Sequence, residues 1–162
     1  MKRPRNDKQV WRNFGALIRR LREEKGVTLR GVVEEARSHI GRRGLSVSYL
    51  SELERGRKAP PREPVLRALA KILGVHDQKL ELAAKGWTVL DPVEFLEAFP
   101  EHHELASQIR SQGTHDFYQV SGLMSDLAPR RTPKGAESQV VMVFDLEAGH
   151  VDTMFAYRLR KD

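Results

Sequence analysis

The chain has 162 residues, 40% hydrophobic and 31% charged, with six histidines and no cysteine, so disulfides and thiolate metal sites are excluded. No stretch approaches the roughly 18 apolar residues of a membrane span, and the basic start Met1-Lys2-Arg3-Pro4-Arg5 leads into no apolar run, so a cytoplasmic location is expected. The net charge of +6 is uneven: residues 1–62 hold 17 Lys and Arg against 7 Asp and Glu, a net of +10, while residues 63–162 hold 11 against 15, a net of −4. That asymmetry points to a polyanion partner for the first part.

Residues 1–9 are expected to form a basic arm, in which Lys2, Arg3, Arg5 and Lys8 can follow a minor groove. Helical spacing then begins with Val10, Phe14, Leu17, Ile18 and Leu21, and Gly26 suits the left-handed residue that ends such a helix. Thr28 can cap a second helix with apolar positions Leu29, Val32, Val33 and Ala36, predicted to extend to about Ile40. Ser46 can cap a third with Leu50 and Leu53 inward and Gly56 at its end. Pro64 suits the first turn of a fourth, which carries Val65, Leu66, Leu69, Ile72 and Leu73 and closes at Gly74. A fifth is predicted from Asp77 to Lys85.

The expected architecture is mainly α: a five-helix domain over residues 10–86, then an extension over 87–162. In the extension Asp91-Pro92 opens a helix through Phe99, and a second piece runs past Pro100 to about Ser111. Gly113, Pro129, Pro133 and Gly135 read as irregular chain over 113–137. Gln139–Leu146, a turn at Glu147-Ala148-Gly149-His150 and an alternating run from Val151 to Leu159 then predict a β-hairpin.

The third helix has the composition needed to enter a major groove: an apolar back, Leu50 and Leu53, and a short polar front, Val47, Ser48, Ser51 and Glu52. A serine hydroxyl can donate or accept at base edges, Glu52 can accept from a cytosine amino group, and Val47 can meet a thymine methyl. Arg55, Arg57 and Lys58 follow as candidate phosphate clamps, with Thr28 and Arg30 at the start of the second helix and Arg42 and Arg43 in the loop after it. Tyr49 either packs inward or bonds a phosphate.

Ser46-Val47-Ser48-Tyr49-Leu50-Ser51-Glu52-Leu53-Glu54-Arg55-Gly56-Arg57 resembles the recognition-helix segment of the lambda-repressor-like (Cro-like, XRE) helix-turn-helix family. Leu21-Arg22-Glu23-Glu24-Lys25-Gly26-Val27-Thr28-Leu29 resembles the end of its first helix and the start of its second. Pro60-Pro61-Arg62 with the run Val65 to Val75 resembles its fourth. The resemblance covers residues 10–86 and implies double-stranded DNA as partner, transcriptional regulation, and an ion pair between Arg22 and Glu54 that bridges the first and third helices. The chain departs from the family pattern at Leu29, where glutamine is frequent, and at Gly31 within the second helix. It also departs in the stretch Arg37–Arg43, which intervenes between Ala36 and Gly44.

One recognition helix buries too little to be both tight and specific, so a homodimer reading two half-sites is expected, as a repressor rather than an activator. The hairpin needs a cover. Val140, Met142, Phe144, Phe155 and Tyr157 are the candidate dimer interface, and the alternative cover is Phe95, Leu96 and Phe99 of the same chain. The competing functional readings give residues 87–162 to a protein partner, as in an antitoxin-like or polymerase-binding regulator, or to a small-molecule effector. No enzyme motif is present: the sequence has no glycine-rich phosphate loop, zinc-protease helix or serine elbow. His39, His76, His102, His103, His115 and His150 have no metal-ligand spacing, so neither metal nor cofactor is expected.

Overall fold

The computed structural model describes residues 5–113, 115–145 and 150–160. The apolar spacings of the first half become five helices: α1 (Arg5–Glu24), α2 (Leu29–Ile40), α3 (Val47–Glu54), α4 (Glu63–Leu73) and α5 (Asp77–Ala84). Three boundaries have a clear local cause. Thr28 accepts a hydrogen bond from the Gly31 N–H at 3.0 Å to open α2, and Ser46 accepts from the Tyr49 N–H at 3.1 Å to open α3. Gly74 ends α4 in the left-handed conformation, φ 71°, which L side chains avoid. Phe14, Ile18, Val32, Val33, Leu50, Leu53, Leu69 and Ile72 then close one core, so α2 and α3 each turn their other side outward.

The chain divides into two units at Gly86–Trp87. The second contains β1 (Thr88–Leu90), α6 (Pro92–Leu96), a 3-10 turn at Pro100–His102, α7 (His103–Gln112), α8 (Phe117–Arg131), β2 (Ala136–Asp145) and β3 (His150–Leu159). The strands form an antiparallel sheet in the order β1-β3-β2, with Val140 opposite Phe155 and Leu90 on the other side of Phe155. A mainly helical fold ending in a hairpin is thus what the chain forms, with β1 as a third strand. Within this unit the Arg158 guanidinium lies 4.5 Å above the Trp87 ring. The turn expected at Glu147-Ala148-Gly149 lies outside the described residues.

Three expectations are corrected. The arm predicted over 1–9 is helical from Arg5, because α1 starts there; Lys2 and Arg3 lie outside the described residues. The irregular chain predicted over 113–137 is largely α8: Asp116 caps it by accepting from the Gln119 N–H at 2.9 Å, and Val120, Met124 and Leu127 supply a buried stripe. Pro129 is carried in the last turn. The dimer interface assigned to Val140, Met142, Phe144, Phe155 and Tyr157 is corrected in part. Phe155 is fully buried in its own chain, its ring 4.8 Å from Phe95 in a core with Leu96, Phe99 and Met124, and Val140 and Tyr157 pack partly on that core. Of the five, Met142 and Phe144 remain exposed.

Candidate nucleic-acid interface

The candidate interface centres on α3. Leu50 and Leu53 have no exposed surface, whereas Val47 is 41% exposed, Ser48 is open to solvent, and Ser51 and Glu52 are half-buried. Residues 47, 48, 51 and 52 share one side of a helix, so a short polar front stands on an apolar back.

Two glycines and one guanidinium fix where that front points. Gly15 lies inside α1, where a β-carbon would come within 2.2 Å of the Leu53 carbonyl oxygen, so only glycine lets α1 approach the end of α3. Gly56, at φ 67°, turns the chain away, and a β-carbon there would come within 2.7 Å of the Arg12 Cα. Arg22 and Glu54 meet as a bidentate pair, Nε to Oε1 at 2.6 Å and Nη2 to Oε2 at 3.0 Å. The remaining Nη1 donates to the Val27 carbonyl at 3.0 Å. One side chain of α1 thereby ties α3 to the turn that leads into α2. Only 6% of the Glu54 side chain is exposed, and the hydrogen bond to Glu54 holds the Arg22 pKa above its ordinary value.

The candidate cations are open to solvent, and two of them touch this front. Arg30, Arg42, Arg43, Arg55, Arg57 and Lys58 are all exposed. Arg55 and Arg57 each reach Glu52 Oε1 at 3.3 Å, so the acid of the polar front is held by the two arginines that follow it. Thr28 accepts its capping bond with the same hydroxyl that has a proton to donate. Arg42 and Arg43 sit in the loop that α2 enters through Gly41, at φ 76°. Tyr49 rests against the core, where burial raises its phenol pKa.

Two contributors escaped the sequence reading. Tyr49 shares a groove with Trp11, Arg57, Lys58, Pro60 and Arg62, so Arg62 and the indole of Trp11 adjoin the candidate clamps. Arg62 occupies the N-cap position of α4 without a side-chain capping bond, and Trp11 lies three residues before Phe14 beside the apolar face of α1, so each position reads as part of its helix. Elsewhere, the Lys25 ammonium donates to the Ile72 carbonyl and ties the end of α1 to α4. His103 Nε2 lies 2.8 Å from the Glu97 carbonyl oxygen, and His115 faces Asp152 at 3.8 Å. Among the described residues no three His, Asp or Glu side chains converge as metal ligands, and no helix is long and apolar enough to cross a membrane.

Residues 13–83 match the family model of a helix-turn-helix domain. Two crystal structures of the clp gene regulator ClgR from Corynebacterium glutamicum are similar to the chain. One is 38% identical, over 48% of this chain and 90% of that chain, with a TM-score of 0.37. The other is 31% identical, over 64% of this chain and 93% of that chain, with a TM-score of 0.38. No curated protein matches the chain.

Proposed function

The chain belongs to the helix-turn-helix family through residues 13–83, and from that premise we propose that it is a transcriptional regulator that reads duplex DNA with α3 and acts as a dimer. The observation that carries this reading is the exposed polar front of α3, held by the buried Arg22–Glu54 pair and touched at Glu52 by the exposed Arg55 and Arg57.

In this reading Val47, Ser48, Ser51 and Glu52 meet base edges. Thr28, Arg30, Arg42, Arg43, Tyr49, Arg55, Arg57 and Lys58 meet backbone phosphates, which fix register without carrying sequence. The Glu52 contacts suggest an exchange. Phosphates draw Arg55 and Arg57 away, and the released carboxylate accepts from a cytosine amino group. Two copies reading half-sites one helical turn apart supply the affinity that one helix lacks. Occupying a promoter blocks polymerase without any further contact, so repression is the proposed mode.

Selection from a random duplex pool tests the reading. Wild type should return a two-half-site motif, and Glu52→Ala should change the preferred base at one position, worth about 1–3 kcal/mol of discrimination. Arg57→Ala should weaken all sequences alike and flatten the slope of log K against log salt by about 0.9. An unchanged motif in Glu52→Ala would mean that α3 does not face the bases.

A further inference from the structure

The sheet order leaves β2 at an edge. The opposite edge, β1, is blunted by its length of three residues, whereas β2 has ten. Among the described residues no strand pairs with the outer side of β2. An unpaired strand presents a row of N–H and C=O groups that another extended strand can satisfy. Such edges are normally guarded by lysine, proline or a bulge. Residues 136–145 contain no Lys, Arg or Pro, and their register with β3 is unbroken from Ala136 to Asp145. Two large apolar side chains stand exposed on this strand, Met142 at 53% and Phe144 at 64%.

The strand is complementary to itself. A two-fold axis perpendicular to the sheet sets β2 antiparallel to β2 of a second copy, with same-face residues opposite each other. Centred on Met142, this pairing places Met142 against its own equivalent, Phe144 against Val140, and Val143 against Val141. Moving the centre to Val141 sets the exposed Phe144 against Ser138, so the ring loses its apolar partner. Moving it to Val143 shortens the ladder from 139–145 to 141–145. We infer that β2 pairs with β2 of a second copy of this chain in the register centred on Met142, joining two three-stranded sheets into one of six strands. The inference names the contact of the dimer put forward above and rests on that reading for its purpose.

The test uses the full chain without DNA. Sedimentation should give twice the 18.5 kDa of one chain. The double variant Met142→Lys, Phe144→Lys should sediment at half that mass with its cooperative melt retained. Because the chain has no cysteine, Met142→Cys introduces one thiol per copy. Opposed β-carbons about 4.5–5.5 Å apart lie close enough for mild oxidation to link them. A monomeric wild type overturns the inference, as does a dimer that survives the double lysine variant. Cross-linking through Val140→Cys in place of Met142→Cys overturns the register. None of these measurements involves DNA, so a failed motif selection and a failed interface are told apart.

Discussion

The two units bury their apolar residues by different routes. In the first, each helix brings its own stripe, and Val32, Val33, Leu50 and Leu53 come from short segments with their own caps. In the second, the centre of the core is Phe155, on a strand held between β1 and β2, with its ring 4.8 Å from that of Phe95. A core built from self-defining helices declares itself in sequence. A core hung on a central strand exists only once distant segments have met.

The sharpest way to break the second unit is Phe155→Ala. Deleting a fully buried ring should cost about 3–5 kcal/mol, measured as a lower urea midpoint. Two glycines, one in each unit, sharpen the contrast. Gly15→Ala should destabilise by about 1–3 kcal/mol, because the added carbon meets backbone of α3 that cannot rotate aside. Gly122→Ala, in α8 with nothing within 4 Å of the new carbon, should stabilise by roughly 1 kcal/mol. Thermal melts of the two variants should move in opposite directions, and a shared sign would undo the packing argument for Gly15.

Asp116→Ala removes the cap of α8 and should cost about 1 kcal/mol in the same melts. The smallest effect is expected at Glu101, whose carboxyl pKa is held below 4.5 by a hydrogen bond from its own backbone N–H and then by Arg130 at 2.8 Å. A depressed carboxyl pKa stabilises the fold fully above the ordinary value, and that stability is lost as pH falls through the lowered one. Melting temperature against pH should therefore fall slightly less on the acid side in Glu101→Gln than in wild type.

The same contrast explains what was legible. Thr28, Ser46 and Gly74 announce helix ends by local chemistry, and the polar front at Val47, Ser48, Ser51 and Glu52 follows from helical spacing alone. α8 was obscured because Gly113, Pro129, Pro133 and Gly135 outweighed the spacing of Val120, Met124 and Leu127. β1 has only three residues and gains its structure from β3. Gly15 gave no sign at all, since its reason is a carbonyl oxygen on another helix.

The position of the two tryptophans has a spectroscopic consequence. Trp11 belongs to the first unit, in the groove beside Tyr49 and Arg57, and Trp87 belongs to the second, under the Arg158 guanidinium. Each unit therefore carries one tryptophan, and single Trp→Phe replacements isolate their signals. Emission from Trp11 should respond when a polyanion occupies the neighbouring arginines. Emission from Trp87 should shift when Arg158→Gln removes the cation from its ring face. A single unlabelled chain can thus report on its two halves in separate titrations.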